Sequence, residues 1–208
     1  MSAVSRDAIF ADIRNALQAL PAEARTPYPD YDGSVAVAEP RLRGASLWDC
    51  FAANLRAVNG RPMRSAAELA EFLLAREFRH GYCDPALRPS IGDRLAAAGI
   101  EVEFHYDRAR YDDYQFGITR ADGAIAETGT AILTDTHTAD RLAALTPWVH
   151  VAVFHEADLC RTLGDAIARF GAERNIIFAT GPSKTADIEG ILIEGVHGPG
   201  EQICLCLV

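Results

Sequence analysis

The stretch TGPSKTADIEG, residues 180–190, follows the short apolar run NIIFA and collects the residue types of an anion-binding turn. Gly181 allows a close turn of the backbone, and Pro182 fixes the backbone angle that follows. Three neighbouring side chains then offer donors that can hold a phosphate or a carboxylate: Ser183, Lys184 and Thr185. This composition predicts a binding loop for a small anion where a strand ends.

Two carboxylates complete the same stretch. Asp187 and Glu189 can orient Lys184 or act as acid–base groups, and we assign Asp187 a catalytic role and Glu189 a binding role. The spacing G-x-x-x-x-G-K-S/T is incomplete here, which excludes a nucleotide P-loop. An alternative on the same spacing is a tight turn from a strand into a helix, which the serine and threonine hydroxyls would cap.

A second polar group, AETGTA at residues 126–131, is predicted to lie within an otherwise apolar strand. Glu127 there needs a partner or solvent, because burying an unpaired carboxylate is costly. Gly129 within a strand is typical of a bulge or of a close approach to a ligand. Glu127 is therefore a candidate catalytic residue, with Thr128, Gly129 and Thr130 as candidate binding residues. The alternative is an exposed edge strand with a bulge.

The loop GVHGPG, residues 195–200, places His197 between glycines, with Gly198 beside it. An imidazole in such a loop can act as an acid or base near neutral pH or bind a metal. The sequence contains no zinc-type ligand pattern around it, so no metal site is predicted. Cys204 and Cys206 lie two apart on the last predicted strand, where buried thiols are a better interpretation than cluster ligands.

Helices are predicted in the first part of the chain. One apolar stripe follows Ser5 and indicates an amphipathic helix: Ile9, Ile13, Leu17 and Leu20. Prolines and turn formers then predict a long surface connection up to residue 45. Ser46 and Ser65 each begin a capping pattern, which predicts helices near 46–58 and 65–79.

Strand and helix signals alternate in the remaining chain. Strands are predicted at IEVEFHY, HVAVF and NIIFA, the last buried on both faces, and a hairpin joins YQFGIT to AIAETGTAIL through the turn RADG. Residues 149–180 predict one βαβ crossover around the helix ADLCRTLGDAIARFG. The predicted fold class is α/β, with a mixed, mostly parallel sheet flanked by helices. Residues 1–45 are predicted as an N-terminal helix and extended connection, and residues 46–208 as the α/β domain.

Composition excludes several classes of protein. The chain has 208 residues, of which 49% are hydrophobic and 24% charged, as in an ordinary globular protein. A net charge of -9, without a basic run, argues against a nucleic-acid partner. No apolar stretch is long enough to span a bilayer. The start of the chain lacks the pattern of a secretory signal, and five cysteines are an odd number, so we expect reduced thiols and a cytoplasmic location.

Four segments together resemble the lactate utilization protein C family, also called the LUD domain: SLWDCFAANL, GITRADGAIAETGTAIL, LTPWVHVAVF and ATGPSKTADIEGILIEGVHGPG. The resemblance implies the type of fold shared by glucosamine-phosphate isomerase, ribose-phosphate isomerase and CoA-transferases. It also implies membership of a three-part L-lactate oxidation system. In that system the iron–sulfur clusters belong to the two partner proteins, and no cofactor is expected in this chain.

The same resemblance carries the candidate residues over as motif positions: Glu127, Thr128, Gly129, Thr130, Gly181, Pro182, Ser183, Thr185, Asp187, Glu189, His197 and Gly198. Lys184 stands where arginine is expected, and lysine lacks the bidentate fork for a carboxylate. Three functions remain open. The chain is a subunit that binds a small organic acid, a non-catalytic scaffold for the partners, or a free-standing isomerase or CoA-transferase that uses Glu127 as base or nucleophile.

Overall fold

The computed structural model describes these parts of the chain: residues 5–18, 20–21, 42–186 and 191–207. The chain divides into two compact units, Met1–Ala38 and Glu39–Val208. The first unit contains helix α1, Arg6–Gln18, and Ser5 Oγ accepts the Ala8 amide at 3.2 Å at its start. The predicted first helix is therefore confirmed, and its apolar stripe is exposed. Most of the predicted connection, residues 22–41, lies outside the described residues.

The second unit contains the α/β layers. Its helices are α2 (Leu47–Ala57), α3 (Ala66–Ala75), α4 (Asp93–Ala97) and α5 (Leu163–Phe170). Its strands are β1 (Arg61–Met63), β2 (His80–Cys83), β3 (Glu101–Glu103), β4 (Phe116–Arg120), β5 (Gly123–Ile125), β6 (Thr130–Thr134), β7 (Val149–His155), β8 (Leu159–Cys160), β9 (Ile176–Ala179), β10 (Lys184–Ala186), β11 (Leu192–Glu194) and β12 (Glu201–Leu207). None of the helices within the described ranges has the length and hydropathy needed to cross a bilayer.

Serine caps begin α2 and α3 as the sequence predicts. Ser46 Oγ accepts the Asp49 amide at 3.1 Å, and Ser65 Oγ accepts the Glu68 amide at 3.2 Å. Each cap satisfies an amide that has no partner within its helix. Helix α3 ends at Ala75 rather than near residue 79, because the chain turns at Glu77, which adopts a left-handed φ of 60°.

The central sheet has the strand order β1-β12-β7-β4-β2-β3, and every neighbouring pair is parallel. One face packs on α3, α4 and the turn before α4 through residues that include Leu69, Leu73, Ile91, Leu95, Val151 and Leu205. The other face packs on α2 and the small sheet through residues that include Phe51, Leu55, Ala131, Phe154, Cys204 and Cys206. A mainly parallel sheet between helical layers confirms the predicted α/β class.

A second, smaller sheet has the strand order β8-β5-β6-β9 and mixes parallel with antiparallel pairs. Its outer face is covered by α5, with a small apolar cluster between them: Ile125, Ile132, Cys160 and Ala166. Strands β10 and β11 form a separate antiparallel ribbon. The five cysteines are buried, which confirms the buried thiols predicted for Cys204 and Cys206.

The predicted hairpin between residues 114 and 133 is wrong. Strand β4 belongs to the central sheet, whereas β5 begins the small sheet, and the chain crosses between them at Ala121 and Asp122. Gly123 allows the backbone to lie close to Asp158 and does not form a turn, since a Cβ atom at Gly123 would lie 2.7 Å from the carbonyl oxygen of Asp158. The hairpin turn is formed by residues 126–129 between β5 and β6, so most of the polar group AETGTA lies in a turn and not within a strand.

The predicted βαβ crossover at residues 149–180 is also wrong, because β7 and β9 belong to different sheets. The helix within it is shorter than predicted. Thr162 and Asp165 form a capping box that begins α5 at residue 163, and the residues before it form a short turn and β8. Strand β9 lies at the edge of the small sheet, where Phe178 is 39% exposed, so NIIFA is not buried on both faces.

Candidate functional site

A cavity of about 410 Å³ lies at the carboxyl edge of the central sheet, where β4, β7 and β12 end. Its charged and polar lining includes Arg120, Asp122, His137, His155, Asp158 and Arg169. Apolar side chains complete the wall, among them Leu87, Phe154, Phe170 and Leu207. The chain places β3 on one side of β2 and then returns to place β4 on the other side. The direction in which strands are added to the sheet therefore reverses between β2 and β4, beside this cavity. Open parallel sheets bind ligands at the carboxyl ends of their strands, at such a reversal.

A carboxylate–imidazole pair forms one side of the cavity. Asp122 is 9% exposed, and its Oδ2 accepts the Thr134 amide at 2.8 Å. Its Oδ1 contacts Nδ1 of His137, whose side chain is 49% exposed. Because a carboxylate oxygen can only accept, Nδ1 of His137 carries a hydrogen, and in the neutral imidazole the other ring nitrogen, Nε2, offers a lone pair. The pair can therefore accept a proton from a bound molecule or donate one to it.

Asp84 holds the loop that carries His137. It follows β2, is 2% exposed, and its two carboxylate oxygens accept the amides of Ala86 at 2.9 Å and Ala139 at 3.2 Å. Thr138 Oγ1 also donates to the carbonyl oxygen of Arg120 at 3.0 Å. These bonds fix the backbone directly after His137, so Asp84 positions the pair without lining the cavity.

Two guanidinium groups border the cavity and differ in their partners. Arg169 donates to Asp158 at 2.6 Å, and this hydrogen bond raises the pKa of Arg169. Arg120 is exposed at the end of β4 and forms no ion pair with the described residues. In a protein with a net charge of -9, an uncompensated arginine in a cavity is a specific place for an anion.

The two polar stretches that the sequence singles out meet through hydroxyl groups. Thr130 Oγ1 lies 2.7 Å from Thr128 Oγ1 and 2.6 Å from Thr180 Oγ1. These three residues form a hydroxyl chain that joins the β5–β6 turn to the start of TGPSKT. Gly129 adopts φ 66°, and a Cβ atom there would lie 2.3 Å from the backbone nitrogen of Leu55. The close approach at this glycine is therefore to helix α2.

Glu127 lies at the start of α5. Its Oε2 accepts the amide of Leu163 at 3.2 Å, and its own amide donates to the carbonyl oxygen of Arg161. A carboxylate at a helix N-terminus is stabilised by the partial positive charge of the unpaired amides. The described contacts of Glu127 thus belong to the junction between the β5–β6 turn and α5.

Residues 181–185 lead into the β10–β11 ribbon, so the alternative of a helix cap at this stretch is wrong. Lys184 Nζ donates to the carbonyl oxygen of Val58 at 3.1 Å and lies 3.5 Å from Glu194. Gly181 approaches the same carbonyl, at φ 72°, and Pro182 is buried. Thr185 pairs with Ile193 across the ribbon. Asp187 and Glu189 lie outside the described residues.

His197 and Gly198 line a different cavity, of about 470 Å³, at the amino edge of the central sheet. Trp148, which directly precedes β7, lines it as well. Ser183 is close to this loop, since its amide donates to the carbonyl oxygen of Pro199 at 2.9 Å. The sequence-predicted residues are thus divided between the hydroxyl chain, the ribbon and the amino edge. Their catalytic and binding roles stay predictions.

The family of the chain follows from its sequence relatives. The LUD domain family matches residues 84–207. This chain belongs to the LUD domain family. Its relatives include an uncharacterized protein of Neisseria meningitidis serogroup B, 32% identical over 97 residues that cover 44% of this chain and 42% of that protein.

Two further relatives carry the name lactate utilization protein C. The one from Deinococcus radiodurans is 39% identical over 83 residues, which cover 36% of this chain and 38% of that protein. The one from Halalkalibacterium halodurans is 35% identical over 112 residues, which cover 48% of this chain and 49% of that protein. The chain thus spans about half or less of the length of the curated relatives it matches.

A crystal structure of a DUF162 family protein from Deinococcus radiodurans has the same fold. Its TM-score is 0.57 at 20% identity, and the superposition covers 78% of this chain and 96% of that one. The range that matches the LUD family contains Asp84, Arg120, Asp122 and His137 as well as the hydroxyl chain. Helix α2, which packs on Gly129, lies outside that range.

Sequence reasoning missed the cavity residues. The sequence pattern places Asp122 in a turn, and no motif singles out His137. The available signal was the position of Arg120 and Asp122 directly after a buried strand, FGIT, where carboxyl-edge ligands gather in parallel sheets.

Proposed function

We propose that this LUD-domain protein acts in lactate utilization by binding a small organic acid, lactate or pyruvate, in the carboxyl-edge cavity. The observation that carries the proposal is the meeting of the uncompensated Arg120 with the Asp122–His137 pair in one cavity. A guanidinium binds a carboxylate through two parallel hydrogen bonds. His137 Nε2 then offers an acceptor for the hydroxyl group of a 2-hydroxy acid. The name of two relatives, lactate utilization protein C, supports this class of ligand.

Electron transfer is proposed to belong to partner proteins that contain iron–sulfur clusters. Thiolates, and not thiols, are the ligands of such clusters. Burial raises the pKa of Cys204 to about 12 and that of Cys206 to about 11, which favours the protonated thiol. This supports a division of labour in which this chain binds the organic acid in the cytoplasm and its partners carry the clusters.

A second location for the same anion is favoured by the hydroxyl chain. The hydroxyl group of Thr130 lies within hydrogen-bond reach of those of Thr128 and Thr180, beside Glu127 and the start of the TGPSKT stretch. Hydroxyl groups can turn to donate to an anion. This location lacks an uncompensated cation among its described residues, so the carboxyl-edge cavity is the stronger candidate.

Calorimetric titration of the protein with lactate, pyruvate and acetate tests the proposal and separates the two locations. Arg120→Gln is expected to weaken binding by about tenfold or more, the value of one lost charged hydrogen bond. Arg94→Gln, which removes an exposed arginine from α4, is the matched control and leaves binding unchanged. If Thr130→Val lost binding and Arg120→Gln kept it, the site would lie at the hydroxyl chain. No binding by the protein, with or without its partners, would overturn the proposal.

A further inference from the structure

One imidazole and two carboxylates meet at the outer edge of the central sheet. His80 begins β2 and lies directly opposite Glu101 of the edge strand β3. Glu103, two residues further along β3, points to the same face of the sheet. One ligand atom from each of the three side chains lies within 4.8 Å of the others. This cluster is separate from the residues of the carboxyl-edge cavity.

The hydrogen bonds of His80 leave two acceptors facing each other. Its Nδ1 lies 3.0 Å from the carbonyl oxygen of Asp113, which can only accept, so Nδ1 carries the hydrogen. Its Nε2 lies 2.9 Å from Oε1 of Glu103, which as a carboxylate also only accepts. A cation, either a proton or a metal ion, must therefore lie between these two atoms. Two ligand atoms at right angles on an octahedral ion, each about 2.1 Å from it, are separated by about the same distance, whereas two tetrahedral ligands of Zn²⁺ lie about 3.4 Å apart.

Charge favours a divalent cation over a single proton. Glu101, Glu103 and Asp113 supply three negative charges, and Arg110 supplies one positive charge through contacts of 3.3 Å to Glu103 and 2.8 Å to Asp113. With a neutral imidazole the cluster has an excess of two negative charges. One proton on His80 balances half of that excess, and a divalent ion balances all of it.

The surrounding side chains hold the ligands in place as they do in metal sites. The carbonyl of Asp113 fixes the ring of His80 through Nδ1, which is the usual support of a metal-binding histidine. The hydroxyl of Tyr114 donates to Oε2 of Glu103 at 3.1 Å, and the Tyr114 ring stacks on the imidazole with centroids 5.4 Å apart. Both ligands are thus oriented before any ion binds.

We propose that His80, Glu101 and Glu103 bind a divalent transition-metal ion, Zn²⁺ or Mn²⁺, at the edge of the parallel sheet. A nitrogen ligand with carboxylate oxygens suits these ions, whereas Mg²⁺ and Ca²⁺ are bound by oxygen alone. Water completes the coordination at this partly exposed position. The ion ties the three-residue edge strand β3 to β2 and so stabilises the open edge of the sheet.

Titration of the full, untagged and chelator-treated chain with ZnCl₂, MnCl₂ and MgCl₂ tests the site. We expect saturable binding of one Zn²⁺ or Mn²⁺ ion per chain and much weaker binding of Mg²⁺. Glu101→Gln is the decisive variant, because Glu101 is exposed and makes no ion pair or side-chain hydrogen bond within the described chain, so its loss leaves the fold intact. It is expected to weaken binding by about 10- to 100-fold. Glu71→Gln, at an exposed position on α3, is the matched control.

Thermal unfolding gives a second readout. A ligand that binds only the folded chain raises Tm in proportion to the logarithm of its concentration, so Zn²⁺ should raise the Tm of the wild type and of Glu71→Gln but not that of Glu101→Gln. Equal affinity and equal Tm shifts in Glu101→Gln and the wild type would overturn the proposal. Absence of saturable binding would overturn it too, and would identify the cluster as an ion pair between protonated His80 and Glu103. Either result leaves lactate binding at the other edge untouched.

Discussion

Asp122 holds His137 from the buried side of the carboxyl-edge cavity. The carboxylate is almost completely enclosed and receives the Thr134 amide on one oxygen and Nδ1 of His137 on the other, whereas half of the imidazole faces the cavity. The position of Asp122 between the two sheets makes this possible, because it can bond to β6 in the small sheet while lying beside the end of β4 in the central one. The pair therefore connects the junction of the two sheets to the proposed ligand site.

Asp122→Asn is predicted to weaken both the fold and this pair. An amide has one acceptor oxygen for two donors, so either the Thr134 amide or Nδ1 of His137 would face an NH₂ group. The expected loss in free energy of unfolding is about 1–3 kcal/mol. Urea unfolding measures that loss, and ring ¹⁵N resonances of His137 should show that its fixed tautomer is lost. Asp112→Asn, at an exposed carboxylate, is the control, and equal stability of the two variants would contradict the assignment.

Gly129→Ala and Gly99→Ala form a matched pair that separates backbone strain from packing. Both glycines adopt positive φ, 66° and 83°, and an alanine there costs about 1–2 kcal/mol. A Cβ atom at Gly99 meets nothing within 4 Å, whereas one at Gly129 would lie 2.3 Å from the Leu55 nitrogen.

The prediction from this pair is that Gly129→Ala loses clearly more stability than Gly99→Ala, because α2 must also move away from the β5–β6 turn. Urea unfolding of the two variants and the wild type gives the comparison. Equal losses would show that the turn and α2 are not in close contact in solution.

His150 is predicted to make stability depend on pH. It lies between Thr119 and Gln202 on the strands beside it, at 2.9 and 2.8 Å, and complete burial lowers its pKa from 6.5 to about 4. The unfolded chain therefore takes up a proton between these values while the folded chain does not. Stability contributed by the neutral ring is fully present above pH 6.5 and falls by up to about 3 kcal/mol as the pH drops towards 4.

The measurement is an NMR titration of the His150 ring together with urea unfolding at pH 7 and pH 4.5. In the metal-free chain His80 opposes this effect. Burial lowers the pKa of His80, but its hydrogen bonds to Glu103 and Asp113 raise the pKa overall, so protonation of His80 stabilises the folded chain as the pH falls. The part of the pH dependence of stability that is due to His150 is the part that disappears in His150→Gln. A titration midpoint of His150 above pH 6 would contradict the prediction.

Local signals in the sequence were sufficient for the helix caps and the core strands. Ser46 and Ser65 act on the amides that their spacing indicates, and the apolar runs around Ile118 and Val151 are central strands of the parallel sheet. These features depend on bonds within a few residues or on burial alone, which a sequence pattern reports directly.

Features that depend on contacts between distant segments were not predictable in the same way. The Asp122–Gly123 pair has the composition of a hairpin turn, but Gly123 is required by the carbonyl of Asp158, far along the chain. The carboxylate–imidazole pair likewise exists only because β6 lies beside β5 and returns the chain towards Asp122. Nothing in the local sequence of His137 reports that position.

Glu127 offers the last prediction, because the sequence suggests a catalytic carboxylate and the structure gives it a contact at the start of α5. If its main role is to accept the Leu163 amide, Glu127→Gln keeps an acceptor oxygen and loses only the charge, at a cost of about 0.5 kcal/mol. Glu127→Ala loses both, at a cost of about 1 kcal/mol, similar to loss of the Thr162 cap in Thr162→Ala.

Urea unfolding of these three variants and calorimetric titration with lactate distinguish the two roles of Glu127. A structural role predicts this order of stabilities and unchanged affinity for lactate in all three variants. A chemical role predicts a different result. Glu127→Gln would keep its stability but lose lactate-dependent activity in the assembly with its partners, whereas Thr162→Ala would keep that activity. The second outcome would place the reacting centre at the β5–β6 turn, beside the hydroxyl chain of Thr128, Thr130 and Thr180.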